Sequence, residues 1–162
     1  MRVCAWDQST KCSGWSLFVD GMYQDSGIID MSKIADTDMR TGEMGIAICN
    51  KIEELKPDVV IIENVQAQSG VSVVILLARL QGMIMGYNYA HYIDTRIIAP
   101  SQWRKALDFQ QGPGVKRSEL KRQSIEYAYN AIGSKFPEDQ AEACCIGLAV
   151  HKIFGFGDVW GE

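Results

Sequence analysis

Apolar and polar residues along the chain mark out a series of short strands and longer helices. Residues 2–7 alternate and end in an acid, which predicts a strand. Residues 14–19 are a second apolar stretch, and Asp20-Gly21 after it is a two-residue hairpin signal. Residues 22–29 form the return strand, so the chain opens with a three-strand meander. Its first strand delivers Asp7 at its C-terminal end. Over 39–55 the apolar positions Met44, Ala47, Ile48, Ile52 and Leu55 recur at helical spacing, and Pro57 stops that helix. Residues 58–63 are a continuous apolar run, as expected of a central strand buried on both faces, and this run also ends in an acid, Glu63.

Residues 66–71 form a polar, Gly-containing loop. Residues 73–89 are apolar with small residues at Ala78, Gly82 and Gly86, a helix able to pack closely. A strand follows over 92–99, then a short helix from Pro100 with Ser101 as candidate cap. FQQGPGV at 109–115 predicts a mobile loop, 118–132 a basic-faced helix, and Pro137 opens a last helix over 138–154. The tail GFGDVWGE is expected to be loosely ordered. The order β-β-β-α-β-α-β-α-α, with the short helix as an extra, predicts an α/β fold. Its mixed sheet joins an antiparallel meander to parallel crossovers, flanked by helices, in a single domain over residues 1–162.

The length of 162 residues at 47% hydrophobic supports a core without disulfide or metal staples. No apolar run approaches the ~18 residues a bilayer needs. MRVCAWD also places a charge and an acid where a signal peptide needs its apolar segment. Cys4, Cys12, Cys49, Cys144 and Cys145 are odd in number and lack zinc spacing, and only His91 and His151 could join them. Buried, reduced thiols, a cytoplasmic location and no membrane partner are the expectation. A net charge of −4 first argues against a nucleic-acid ligand, but the distribution reverses that reading. Residues 96–122 carry 7 basic and 2 acidic side chains, a local +5 within an acidic chain.

Four acids stand out by position. Asp7 and Glu63 end strands one and four, which in α/β sheets commonly lie side by side with sites at their C-terminal ends. Asp139 and Glu142 are spaced i, i+3 near the start of the last helix and project from one face. Taken singly, each acid also suits a turn, a solvated strand end or a helix dipole. Together in a dry cleft they repel one another unless cations or protons intervene. Their hard oxygens favour Mg²⁺ or Mn²⁺. Two such ions about 3.5–4 Å apart suit in-line phosphodiester hydrolysis.

DQSTKCSGW from Asp7, VVIIENV around Glu63, APSQWRK from Ala99 and DQAEACCIGLA from Asp139 span nearly the whole chain. In that order they resemble the RuvC-like Holliday junction resolvases, especially the bacteriophage-encoded branch, of the ribonuclease H-like superfamily. The resemblance implies a ribonuclease H-like mixed sheet and a metal-binding catalytic tetrad of Asp7, Glu63, Asp139 and Glu142. It also implies a homodimer that places two active sites on a four-way junction. The chain departs from the bacterial pattern. Ala-Trp-Asp-Gln-Ser replaces Gly-Ile-Asp-Pro-Gly, NVQAQSG after Glu63 lacks the aromatic some relatives stack on a base, and the fourth acid is Glu rather than Asp.

Arg104, Lys105, Lys116, Arg117, Lys121 and Arg122 flank the Gly-Pro-Gly loop and are the candidate phosphate contacts, with Lys121 and Arg117 forming one ridge. Lys116 could also stand beside the scissile phosphate. Trp103 could stack on a base, but burial is the favoured reading. Helix 73–89 has more apolar surface than one core face needs, which suits a twofold seam. The reading these features support is a Mg²⁺- or Mn²⁺-dependent endonuclease with two ions per site, acting on four-way junctions and other branched DNA. The alternative is a junction-binding architectural protein with weak or no catalysis. A sugar-kinase-like phosphotransferase also opens with an Asp at the end of strand one, but needs a second phosphate loop that this chain lacks.

Overall fold

The computed structural model of the chain describes residues 1–66 and 70–155. The centre of the polar loop (67–69) and the tail from 156 onward, expected to be loose, lie outside the described residues. The sheet has five strands: β1 (Arg2–Asp7), β2 (Cys12–Val19), β3 (Met22–Asp30), β4 (Val59–Glu63) and β5 (Asp94–Ile98), in the order β3-β2-β1-β4-β5. The first three are antiparallel, while β1–β4 and β4–β5 are parallel. Asp20 and Gly21 both have positive φ, 50° and 78°, as a tight hairpin matching the strand twist requires.

Five helices flank the sheet: α1 (Thr37–Leu55), α2 (Val71–Ala90), α3 (Pro100–Ala106), α4 (Arg117–Ile132) and α5 (Glu138–Phe154). Alternation along the strands sorts side chains to two cores. Cys4, Trp6, Val60 and Ile62 meet Met44, Ile48 and Ile52 of α1 and Leu80 and Ile84 of α2. Val3, Ala5, Val59 and Ile61 meet Trp103 of α3, Ala128 of α4 and Ala141, Cys144 and Cys145 of α5. The buried apolar run of β4 is thus a strand packed on both sides. The five cysteines are free thiols, three of them buried.

Three local expectations are corrected. Ser101 lies inside α3 rather than capping it. Pro100 holds the first helical position, and the Gln102 side chain accepts from the Ala99 N–H at 2.9 Å. The loop after α3 is anchored at its start, while residues 112–114 are exposed. Phe109 is buried between Trp103 and Tyr127. Beside it, Gln110 and Gln123 exchange two hydrogen bonds of 2.7 and 3.0 Å. The third concerns α2, which is long and apolar enough to cross a bilayer by length and composition, with a mean hydropathy of 1.3. Ser72, Arg79, Gln81 and Asn88 break its apolar run into pieces, so a search for unbroken runs passes over it. Gln81 and Asn88 are buried with Leu80 and Ile84, while Val71, Val73 and Ile75 are exposed.

Candidate active site

The parallel pairing of β1 with β4 puts Trp6 opposite Ile62, so Asp7 and Glu63 emerge together at the C-terminal edge of the sheet. Neither strand could supply the other two acids. They arrive on α5, which approaches the sheet closely because two glycines permit it. A Cβ on Gly14 of β2 would lie 1.9 Å from the Asp139 carbonyl oxygen, and one on Gly147 of α5 would lie 2.2 Å from the Phe18 ring. Between them the Ser16 hydroxyl donates to the Ala143 carbonyl at 2.7 Å. The first turns of α5 are thereby set over the end of β1.

One carboxylate oxygen each from Asp7, Asp139 and Glu142 lies within 4.8 Å of the others, the one such cluster among the described residues. Burial, then the charges of Glu142, Glu63 and Asp139, hold the Asp7 carboxyl well above the ordinary carboxylate range. Glu63 stands apart from that trio. One of its oxygens accepts from the Trp103 indole N–H at 2.7 Å. Burial, helped by the Glu142 charge, pushes Glu63 up to about 7, against the lowering effect of that hydrogen bond and of Arg104 and Arg117. Cys12, beside Asp139, is pushed up to about 12 by burial and by that carboxylate, so its thiol stays protonated.

The acids form part of a cleft of about 1020 Å³ that is also lined by Gln8, Lys11, Arg40, Arg104 and Arg117. Arg104 leans over the Trp103 ring at 4.8 Å and reaches to 3.8 Å from Glu142. Gln8 ties the end of β1 to α2, donating to Gln81 at 3.1 Å and to the Glu63 carbonyl at 3.3 Å. The predicted basic segment divides. Arg104 and Arg117 face the acids; Lys105 and Lys116 are exposed and line no part of the cleft. Lys121 is paired with Glu138, and Arg122 with Glu119 and Glu126, around a separate groove. Lys11 and Arg40, on the opposite side of the chain order, were invisible to a search for charge runs. Trp103 is buried, as one reading of the sequence had it, but its bond to Glu63 had no signal in the spacing.

A donor set made only of carboxylate oxygens, crowded enough to raise Asp7, fits a hard divalent cation and not zinc or copper. No protein-family model matches the chain, and no curated protein matches it by sequence. Solved structures do match its shape. Thermus thermophilus RuvC, solved in complex with a Holliday junction substrate, has a TM-score of 0.76 at 14% identity, covering 97% of this chain and 96% of that one. The chain has the RuvC fold. Fowlpox virus resolvase, solved with substrate Holliday junction DNA, follows at 0.66 and 17% identity, covering 95% of this chain and 99% of that one. The yeast mitochondrial Holliday junction resolvase has 0.64 at 14%, covering 98% and 80%. The mixed sheet with its antiparallel meander is thus the ribonuclease H-like arrangement seen in RuvC, as the sequence motifs led one to expect.

Proposed function

We propose that the chain is a metal-dependent, structure-selective DNA endonuclease that resolves four-way junctions and also cuts other branched DNA. The observation that carries this reading is the meeting of Asp7, Asp139 and Glu142 within 4.8 Å, in a cleft edged by Arg104 and Arg117, on a RuvC-like fold. Asp7, Glu63, Asp139 and Glu142 are the residues assigned to hold two Mg²⁺ or Mn²⁺ ions. Bound there, such ions supply an activated water and charge stabilisation at the leaving oxygen. The chain's own part is to present the carboxylates, exclude bulk water from the cleft floor and hold phosphates. For that last task Arg104 and Arg117, which line the cleft, are the leading cations, with exposed Lys105 and Lys116 beside them in the chain; the charges of Lys121 and Arg122 are already matched by Glu138, Glu119 and Glu126. The exposed apolar residues of α2 (Val71, Val73, Ile75) give a homodimer its seam, and a twofold dimer matches the approximate twofold symmetry of a four-way junction. Free thiols suit a reducing cytoplasm such as that of a bacterial cell.

The test is incubation with labelled four-way, three-way and linear duplexes in EDTA, Mg²⁺ or Mn²⁺. Metal-dependent cuts in the branched substrates support the reading. Tight junction binding with no cleavage under any metal favours the architectural alternative.

A further inference from the structure

We propose that Trp103 is a positioning residue for Glu63, fixing which carboxylate oxygen faces the cleft; the inference rests on the metal-nuclease reading above and specifies one part of that site. Glu63 lies outside the trio of mutually close oxygens, and the cluster acts on it by charge repulsion rather than by a directional bond. One lone pair of its Oε1 is instead taken by the Trp103 Nε1–H at 2.7 Å, which leaves Oε2 the less encumbered oxygen for an ion. The donor is well anchored. Trp103 is fully buried, Phe109 meets it edge-on at 5.6 Å and Arg104 covers it at 4.8 Å. Arg104 in turn approaches Glu142, so a single short helix touches acids from β4 and α5. The other fully buried tryptophan, Trp6, has its indole beside the Cys4 thiol in the other core. The Trp103 N–H instead goes to an acid of the cleft. Partners that orient a metal-binding carboxylate influence affinity for the ion without touching it.

Calorimetric titration with Mn²⁺ in the absence of DNA tests this, alongside the Mn²⁺ dependence of single-turnover junction cleavage. Trp103→Phe is expected to bind Mn²⁺ roughly 10–100-fold more weakly and to need correspondingly more Mn²⁺ for half-maximal cleavage, with junction affinity in EDTA unchanged. Phe109→Leu loosens the same core without removing the donor, and should keep the wild-type Mn²⁺ dependence. Benzothienylalanine at position 103 keeps the shape of the indole while deleting the N–H, and should reproduce Trp103→Phe even if that variant folds poorly. Wild-type Mn²⁺ affinity in the benzothienylalanine protein, or an equal loss in Phe109→Leu, overturns the assignment while leaving the nuclease reading intact. A wild-type protein that neither binds Mn²⁺ nor cleaves overturns that reading itself.

Discussion

The cleft floor and the outer face of α4 are both rich in charge, yet they treat it in opposite ways. On α4, Arg122 is held between Glu119 and Glu126 of the same helix, and Lys121 is paired with Glu138 at the start of α5, so both cations are matched by anions. In the cleft four carboxylates gather, and among the described residues only Arg104 comes within ion-pairing reach of them, at 3.8 Å from Glu142. Exposed pairs on a helix are screened by water and add little. Like charges gathered where water is partly excluded cost much more, and chains retain them where something outside the chain completes the site. The positive stretch of the sequence therefore mixes matched cations with ones that face the acids, while the uncompensated negative cluster marks the cleft.

The largest expected effect is at the cluster. Asp7→Asn should lower the junction cleavage rate on the order of 10³-fold at saturating Mn²⁺, since ion-mediated charge stabilisation is worth several kcal/mol. Single-turnover assays measure this, and near-normal cleavage would remove Asp7 from the mechanism. Next come the cations. Arg104→Ala and Arg117→Ala should each reduce the slope of log affinity against log salt by about 1. Arg122→Ala, whose charge is already matched, should leave binding within about twofold. If Arg122 proves the stronger contact in a salt-dependent binding titration, the contrast between the two regions fails.

The third effect is on stability. Burial holds Glu63 near 7 in the folded chain against an ordinary 4.5, and Asp7 is likewise raised well above the ordinary carboxylate range. An acid raised by folding keeps its proton longer in the native state. Its cost is absent below the unfolded value and grows as pH rises through the folded one. Metal-free protein in EDTA should therefore melt at a lower temperature at pH 8 than at pH 5. Asp7→Asn should recover part of that loss, and Mn²⁺ should recover it in the wild type. A flat melting profile across that range would contradict the crowding. The smallest effect concerns assembly. Val73→Glu with Ile75→Glu on the exposed side of α2 should shift a dimer to monomer in sedimentation, with the melting temperature little changed.

Much of the fold was legible because it depends on short-range chemistry. Alternation placed β1, Asp20-Gly21 placed the hairpin, and Pro57 and Pro137 bounded α1 and α5. Pairing of strands one and four, and with it the meeting of Asp7 and Glu63, followed from general rules of parallel crossovers. Ser101 misled because a capping residue type and a first-turn proline sit next to one another, and the proline's fixed φ decides. The loop at 109–115 misled because its glycines advertise freedom while Phe109 and Gln110 are held by residues of α4, well separated in sequence.

The order of strands and helices, the strand-end acids and the i, i+3 pair on α5 are properties of the chain read locally, because backbone torsions and side-chain periodicity act over a few residues. That Gly14 and Gly147 let α5 settle close enough to bring Asp139 and Glu142 onto Asp7 was decided in three dimensions. So was the choice of Arg104 and Arg117, rather than Lys121 and Arg122, to face the acids, and of Trp103 to hold Glu63. Contacts between distant segments depend on how whole helices dock, and no spacing along one strand of sequence encodes a distance across the sheet.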